Sequence, residues 1–287
     1  MKFKVFSLGC KVNSYECAAL SSTLIKKGYV QDNSNPDIVI INTCSVTATA
    51  DQKSRQHIRK FIKMYPNAIS VVMGCYSQGN YQYIADSIGA NIIVGTSSRD
   101  KIPSLIEEYI ATKTNIVMVE KDTRKYEYEE LGITSFTENV RAYLKIQDGC
   151  DNFCTYCLIP YRRGKMRSRK LENIVEEAKY LVSQGYKEII LTGIHVGGYG
   201  RDIDGVTFSD LVDQLSSIEN LYSLRISSIE ASEIDSRLIG LIKNRDNIAK
   251  HLHIPLQAGS NEILKRMNRK YTAEEFIDKI KLIKEEI

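Results

Sequence analysis

A repeated order of elements in the first 120 residues constrains the fold more than any other feature of this sequence. A short apolar run, a turn that carries a cysteine and an amphipathic stretch follow one another three times. The cysteines of these turns are Cys10, Cys44 and Cys75. Strands that alternate with helices in this way form a parallel, doubly wound sheet. We therefore predict an α/β domain over residues 1–120.

The spacing of apolar residues predicts the elements of this domain. Short apolar runs predict strands over residues 3–8, 37–41, 70–73 and 92–94. Amphipathic periodicity predicts helices over residues 13–27, 47–64, 81–87 and 102–112. Each of the first three strands leads into its cysteine, and the fourth strand has none.

The three strand-end cysteines are predicted to form a cluster site. In a parallel sheet the carboxyl ends of the strands meet along one edge, and ligands bind there. A single cysteine after a strand is usually a buried apolar residue, but three at equivalent positions favour shared metal ligation. Cys10, Cys44 and Cys75 are the predicted ligands. Cys17 lies inside the first helix, away from this edge, and is predicted to be structural.

A second group of three cysteines, Cys150, Cys154 and Cys157, follows a predicted strand over residues 142–146. Structural zinc takes four protein ligands, and no His or Cys follows Cys157 at zinc-finger spacing. Thiolates are the ligands of iron–sulfur clusters, and a cluster with three of them leaves one iron open for another molecule. Cysteines placed by chance in a buried loop are the alternative, which this spacing disfavours.

The second half of the sequence repeats the alternation after a charged stretch, 121–140, that is predicted to be a linker. Further strands are predicted over residues 188–192, 223–227 and 251–256. Helices are predicted over residues 171–184, 209–218, 234–244 and 261–267. Parallel strand–helix units in series form a barrel or part of one, with the active site at the carboxyl ends of the strands. This second domain is predicted to cover residues 141–287.

Polar residues at these strand ends are candidates for binding a ligand that has an amino acid end, a ribose and an adenine. They are Thr192, Ser227, Ser228, Glu230 and Gln257. The alternative is that strand ends are polar simply because loops begin there. His195, in a glycine-rich loop, is interpreted as an ordinary loop histidine rather than a catalytic one.

A basic run over residues 162–170 contains no acidic residue and directly follows the second cysteine group. Its position predicts contact with phosphates, although basic runs are often only solvated surfaces. The predicted nucleic-acid contacts are Arg162, Lys165, Arg167 and Arg169. A second basic stripe lies on the helix after Cys44, and helix periodicity alone could explain it: Lys53, Arg55, Arg59, Lys60 and Lys63.

Composition sets the remaining limits. The chain has 287 residues, which predicts two domains, and its net charge of +4 requires that nucleic-acid affinity come from local patches. Hydrophobic residues make up 43%, but no apolar run approaches the ~20 residues that cross a bilayer. No membrane partner is predicted. The N-terminal residues do not resemble a signal peptide, so a cytoplasmic location is expected, where seven cysteines would be reduced thiols or metal ligands.

The spacing Cys150-x3-Cys154-x2-Cys157, with Tyr156 before the last cysteine, resembles the radical S-adenosylmethionine (SAM) enzymes. A longer set of motifs resembles the methylthiotransferases of that superfamily: segments 9–16, 42–47, 50–55, 74–76, 159–164, 168–169, 191–193, 225–230 and 253–260. The segment Cys10-Lys11-Val12-Asn13-x-Tyr15-Glu16 resembles the branch that acts on N6-threonylcarbamoyladenosine in tRNA. Branches that act on isopentenyladenosine or on a ribosomal-protein aspartate differ at this segment.

The resemblance implies a reaction and its cofactors. SAM would bind the open iron of a 4Fe-4S cluster on Cys150, Cys154 and Cys157 and give a 5′-deoxyadenosyl radical. A second 4Fe-4S cluster on the strand-end cysteines would supply sulfur, and a further SAM would methylate it. Arg163, in a matching motif, would hold the SAM carboxylate or a group beside a cluster. A reduced flavodoxin- or ferredoxin-type protein would donate electrons.

The implied product is the 2-methylthio derivative of N6-threonylcarbamoyladenosine, beside the anticodon of tRNA. The alternatives are the isopentenyladenosine and ribosomal-protein branches and, in a different class, a two-cluster electron-transfer protein without a substrate. Proteins of the family continue beyond the helix predicted over 273–287, with more barrel strands and a small RNA-binding domain. A truncated chain with an incomplete barrel is therefore expected.

Overall fold

The computed structural model describes residues 1–132 and 141–287. Its described residues divide into two units. The first contains residues 1–132 and the segment Tyr161–Arg163, and the second contains the rest. Of the predicted linker, residues 133–140 lie outside the described residues. In its earlier part Tyr126 is buried, so that part is packed rather than fully solvated.

The first unit is built on a six-stranded sheet in which every pairing is parallel. Its strands are β1 (Lys2–Ser7), β2 (Val30–Gln31), β3 (Ile38–Thr43), β4 (Ile69–Gly74), β5 (Ile92–Val94) and β6 (Ile116–Met118). Its longer helices are α1 (Lys11–Lys26), α2 (Ala48–Met64), α3 (Cys75–Tyr83) and α4 (Ile102–Thr112). The strand order is β2-β1-β3-β4-β5-β6.

The central strands of this sheet are buried on both faces, which is why they read as continuous apolar runs. Ile38 and Ile40 of β3 pack in one core with Leu24 of α1. Val39 and Ile41 of the same strand pack in a second core that includes side chains of α2 and α3. Helices therefore cover both sides of a parallel sheet, and the predicted α/β fold class is confirmed.

Two details of the first unit differ from the predictions. The third helix was predicted over 81–87, but α3 begins at Cys75 itself and a π-helix, Ile84–Ile88, follows it. The edge strands β2 and β6 were not predicted. They contain two and three residues, and none of these is buried, whereas all three residues of β5 are buried. A short strand at a sheet edge therefore shows no continuous buried apolar run in the sequence.

The second unit contains a three-stranded parallel sheet of order β11-β10-β7 and a small antiparallel pair, β8 with β9. Its strands are β7 (Arg141–Lys145), β8 (Gln147–Asp148), β9 (Arg167–Ser168), β10 (Glu188–Thr192) and β11 (Ser223–Ile226). The helices of this part of the chain are α5 (Ile159–Arg163), α6 (Leu171–Ser183), α7 (Phe208–Ser216), α8 (Ser236–Asn244), α9 (Asn261–Arg266) and α10 (Ala273–Glu286).

The strand predicted over residues 251–256 is wrong, since this segment has no regular strand structure. A strand requires a continuing ladder of backbone hydrogen bonds with a neighbour. Here one isolated bridge joins Ile248 to Leu224, and the amide of Ile229 donates to the carbonyl of His253 at 3.1 Å. The alternating residue pattern alone could not reveal that the ladder stops. In the part of the chain that the structure describes, no helix is both long and apolar enough to cross a membrane.

Candidate metal centres

Cys10, Cys44 and Cys75, called here the N-terminal triad, lie at the carboxyl ends of β1, β3 and β4. These strands are direct neighbours, with Ser7 paired to Asn42 and Thr43 paired to Gly74. The structure therefore brings all three predicted cysteines to one edge of the sheet. Burial raises the pKa values of the Cys44 and Cys75 thiols, and the nearby Cys10 sulfur raises both further. Cys10 is exposed, so the triad reaches the surface on one side.

Two glycines allow the chain to turn into this site. Gly9 and Gly74 have φ values of +106° and +105°, a region that residues with a Cβ rarely adopt. A Cβ on Gly9 would lie 2.8 Å from the Cys44 sulfur, and one on Gly74 would lie 2.4 Å from Oδ1 of Asn42. The Gly-Cys pairs of the sequence therefore have a steric cause.

Side chains of α1 and α2 fix the strand ends. The Asn13 amide Nδ2 donates to the carbonyls of Leu8 at 2.5 Å and Thr43 at 3.1 Å, which joins the ends of β1 and β3. The Ser54 hydroxyl donates to the carbonyl of Cys44 at 2.8 Å. These buried hydrogen bonds hold the cysteine backbones in place without using the thiols.

Arg163 contacts the N-terminal triad directly. Its Nε donates to the Cys75 sulfur at 3.3 Å, Nη1 pairs with Glu16 at 2.8 Å, and Nη2 donates to Asn13 at 3.1 Å. Arg99 pairs with the same Glu16 at 2.6 Å and with Glu129 at 2.6 Å. Of the two roles predicted for Arg163, this placement supports the one beside a cluster. The sequence did not indicate a role for Glu16 or Arg99, although Glu16 lies in the matching segment 9–16.

Cys150, Cys154 and Cys157, called here the C-terminal triad, lie in the loop after β8 and are all partly exposed. The amide of Cys157 donates to the carbonyl of Cys154 at 2.9 Å, which closes a turn between them. Burial raises the pKa of the Cys157 thiol, and the Cys150 and Cys154 sulfurs raise it further. The three thiols therefore lie close enough to influence one another.

Two cations border the C-terminal triad. Arg269 donates from Nη1 to the Cys154 sulfur at 3.3 Å and pairs through Nη2 with Glu230 at 2.8 Å. His195 lies with Nδ1 3.7 Å from the Cys150 sulfur and Nε2 2.6 Å from Glu233. Burial lowers the pKa of His195, but its bonds to Cys150 and Glu233 outweigh this and raise it to about 10.

These contacts change the interpretation of two residues. His195 was interpreted as an ordinary loop residue, but it is buried and fixed beside a candidate ligand. Arg269 was missed altogether, because its partners Cys154 and Glu230 lie far away in the sequence. Its one sequence signal was a run of basic residues near the start of the last helix, which does not distinguish a buried arginine from a surface one.

The five residues predicted to bind SAM differ in burial and in their contacts. Thr192 ends β10 and Ser227 follows β11, and both are buried. Glu230 is half-buried and accepts from Asn152 of the cysteine loop at 3.3 Å. Ser228 is exposed and bonds His253 at 2.7 Å, and Gln257 is exposed with a φ of +68°. Of this set, Glu230 has a contact with the cysteine loop; SAM binding by all five stays a prediction.

Two of the four predicted nucleic-acid contacts have little exposed surface. Arg167 and Arg169 are buried, and they pair with Asp148 at 3.7 Å and with Glu177, respectively. Side chains buried in ion pairs offer little surface to phosphates, and the role of Arg167 and Arg169 stays a prediction. Lys165 is exposed and Arg162 is half-buried, so their role stays a prediction. The basic stripe on α2 is exposed at Lys53, Arg59, Lys60 and Lys63.

A cavity of about 460 Å³ lies beside the N-terminal triad. Cys10 and Cys44 line it together with Thr47, Thr49 and Lys53 of the α2 N-terminal region. Two cysteines, two threonines and one lysine therefore border the cavity.

The donor set of both triads fits iron–sulfur clusters. Within residues 1–132 and 141–287, no three His, Cys, Asp or Glu side chains lie close enough to hold a single metal ion. In a four-iron cluster each thiolate binds a different iron, so the sulfurs of a cluster site stand farther apart than those of a zinc site. Hydrogen-bond donors to Cys75 and Cys154 match the support that such sulfurs receive.

Comparison with known proteins shows which families the chain resembles. The model of the radical SAM superfamily matches residues 144–287, and that of the uncharacterized protein family UPF0004 matches residues 2–95. The chain is 45% identical over 281 residues to the threonylcarbamoyladenosine tRNA methylthiotransferase MtaB of Bacillus subtilis, covering 97% of this chain and 62% of that protein. It is 39% identical over 287 residues to the same-named protein of Aquifex aeolicus, covering 99% and 70%.

The chain is also similar to a protein whose name gives a different tRNA nucleoside from that of the MtaB proteins. The chain is 36% identical over 297 residues to the tRNA-2-methylthio-N(6)-dimethylallyladenosine synthase of Thermoanaerobacter pseudethanolicus, covering 97% of this chain and 61% of that protein. Among solved structures, the radical SAM methyltransferase TsrM of Kitasatospora setae, with cobalamin and a 4Fe-4S cluster bound, has a TM-score of 0.68. It is 13% identical and covers 99% of this chain and 65% of that one, so it shows a shared fold.

These matches confirm the resemblance found in the sequence. The fold and the first family model place the chain in the radical SAM superfamily. Within that superfamily it belongs to the methylthiotransferase family. The chain spans 61 to 70% of the length of the three relatives described above.

The steric role of Gly74 can be tested by substitution. Gly74→Ala should destabilise the protein more than Gly28→Ala does. Both residues have a positive φ, which costs about 1–2 kcal/mol for a residue with a Cβ. A Cβ at position 28 meets nothing within 4 Å, whereas one at position 74 would also clash with Asn42 and with the Thr43 carbonyl. Urea unfolding followed by circular dichroism measures both, and equal losses would contradict the steric explanation.

Proposed function

We propose that this protein is a radical SAM tRNA methylthiotransferase that converts N6-threonylcarbamoyladenosine to its 2-methylthio derivative beside the anticodon. The observation that carries this proposal is the presence of two cysteine triads, one at the carboxyl ends of three parallel strands and one in the loop after β8. The 45% identity to a threonylcarbamoyladenosine tRNA methylthiotransferase supports the substrate.

The N-terminal triad would hold a 4Fe-4S cluster through Cys10, Cys44 and Cys75. The C-terminal triad would hold a second one through Cys150, Cys154 and Cys157, with SAM on its open iron. When bound, these groups supply a radical that removes hydrogen from the target carbon, and the sulfur and methyl group that replace it. This chemistry is needed because no protein side chain is basic enough to remove a proton from that aromatic carbon.

The protein's own residues hold and surround these groups. Arg269 would offset the negative charge of the Cys154 thiolate, since its Nη1 donates to that sulfur at 3.3 Å. Glu230 fixes Arg269 and also accepts from Asn152, so the cysteine loop and the arginine keep one arrangement. His195, protonated because its pKa is raised, directs one ring nitrogen toward Cys150 and the other toward Glu233, so both partners hold the ring in place.

Exposed cations near the N-terminal triad support a nucleic-acid substrate. Lys53 lines the cavity beside Cys10 and Cys44, and Lys60 and Lys63 continue the exposed stripe along α2. Cations of this kind neutralise phosphates, and a base that leaves the stack of a single-stranded loop can enter a protein cavity. The proposed partners are tRNA and a reduced flavodoxin- or ferredoxin-type protein, and the proposed location is the cytoplasm.

Iron content tests the two cluster sites. Anaerobically reconstituted protein should bind about eight irons, because two three-thiolate sites would each hold a four-iron cluster. Replacing Cys150, Cys154 and Cys157 with alanine should halve this content. Cys17→Ala should leave it unchanged, since Cys17 packs in the core among apolar side chains. Loss of all iron or of none in the triple variant, or loss of one cluster in Cys17→Ala, would refute the assignment.

Cleavage of SAM separates an enzyme from a two-cluster electron-transfer protein. After reconstitution and reduction with dithionite, the protein should convert SAM to methionine and 5′-deoxyadenosine, measured by liquid chromatography with mass spectrometry. The variant that lacks the C-terminal triad serves as the control and should form neither product. A protein that holds both clusters but leaves SAM intact would support the electron-transfer alternative instead.

The substrate is tested on tRNA from cells that lack the gene. A nucleoside digest should lose the 2-methylthio derivative and accumulate N6-threonylcarbamoyladenosine, and a plasmid copy of the gene should restore the 2-methylthio derivative. Loss of methylthio-isopentenyladenosine would favour the branch represented by the 36% identical relative. An unchanged tRNA profile with an unmodified ribosomal-protein aspartate would favour the protein-modifying branch.

A further inference from the structure

A buried ion network stands beside one thiol of the N-terminal triad. Glu16 and Arg163 are fully buried, and Arg99 is 1% exposed. Burying charged side chains costs free energy that only close pairing and hydrogen bonds return. The fold therefore keeps a buried cation beside Cys75 at a cost in free energy. The contacts of Arg163 show what it does there.

Arg163 balances the charge of this network and also makes a further contact. Arg99 pairs with Glu16 at 2.6 Å and with Glu129 at 2.6 Å, so these three side chains carry one excess negative charge. Arg163 supplies the second cation, at 2.8 Å from Glu16. Charge balance requires a cation here, but it does not determine where the third donor of its guanidinium is directed.

The orientation of Arg163 points to that contact. Glu16 binds its Nη1 and Asn13 binds its Nη2 at 3.1 Å, so two fixed acceptors determine the plane of the guanidinium. In this plane the remaining Nε donates to the Cys75 sulfur at 3.3 Å. A planar guanidinium held at two points presents its third donor in a defined direction, which the flexible ammonium of a lysine cannot do.

We infer that Arg163 is a positioning residue that raises the reduction potential of the N-terminal cluster by donating a hydrogen bond to its Cys75 ligand. This inference rests on the proposed function. Reduction by one electron adds negative charge to the cluster and its thiolates, and a cationic donor at a sulfur stabilises that form. Hydrogen bonds to ligating sulfurs are among the features that set cluster potentials. The effect is strong in a buried site, where water screens little of the charge.

The test uses protein in which Cys150, Cys154 and Cys157 are alanine, so that any iron belongs to the N-terminal triad. Arg163→Gln removes the charge and the donor, and Arg163→Lys keeps the charge but loses the fixed geometry. Arg163→Lys also preserves the charge balance with Glu16 and Glu129, and circular dichroism checks that each variant folds. The matched control is Arg162→Gln, since this neighbour bonds Thr96 through its backbone carbonyl and lays its guanidinium against Gly79.

Three measurements apply to each variant: iron content, the midpoint potential from a dithionite titration followed by electron paramagnetic resonance, and the iron–cysteine stretching frequencies from resonance Raman spectra. Arg163→Gln should keep about four irons. Its potential should be lower than that of the parent, and the stretching frequencies should rise because the thiolate is a stronger ligand without the hydrogen bond. Arg163→Lys should shift both in the same direction by less, and Arg162→Gln should match the parent.

The outcomes that overturn the inference are distinct. Unchanged potential and spectra in Arg163→Gln would show that the hydrogen bond does not act on the cluster. An equal shift in Arg162→Gln would show a general charge effect. Loss of iron from both Arg163 variants, with folding intact by circular dichroism, would make the residue a requirement for assembly and not a tuning group. A parent protein that binds no iron would refute the proposed cluster itself, and the inference with it.

Discussion

Parallel pairing of three neighbouring strands sets the geometry of the first unit. Because β1, β3 and β4 run side by side in the same direction, their carboxyl ends meet along one edge, and Cys10, Cys44 and Cys75 follow there. The pairing depends on strands that are apolar on both faces, such as β3, and on helices that cover both faces of the sheet. The arrangement of the thiols is therefore a consequence of the core.

The N-terminal triad also requires residues without a Cβ at two strand ends. Gly9 and Gly74 turn the backbone where a Cβ would strike the neighbouring strand, and Asn13 joins two strand ends by hydrogen bonds to their carbonyls. These motif residues therefore position the backbone that carries the cysteines. Cys10 and Cys44 line a cavity that Lys53 also lines.

Both triads have the same kind of electrostatic support. In each unit a buried or largely buried arginine donates to one cysteine sulfur, and a glutamate holds the arginine in place: Arg163 with Glu16 at Cys75, and Arg269 with Glu230 at Cys154. A cation at a thiolate offsets the charge that a cluster brings into a site with little water. The pairing with glutamate limits the cost of keeping each arginine buried.

Local patterns in the sequence determined the elements and the ligand candidates. Apolar periodicity predicted β5 and α4 to the residue, and the six cysteines of the two triads were recognised from spacing and from their place after strands. These properties are local, since the periodicity of apolar residues and the spacing of cysteines are both visible in one stretch of chain. The predicted strand over 251–256 failed because a ladder depends on a partner elsewhere.

The tertiary structure alone decided which charged side chains are buried. Arg167 and Arg169 belong to a run that looks exposed in the sequence, yet Asp148 and Glu177 pair with them in the interior. Arg163 meets Glu16 across 147 positions of sequence. Burial of a charge depends on partners that folding brings together from distant positions, so no local pattern distinguishes a cation that faces water from one that supports a cysteine ligand.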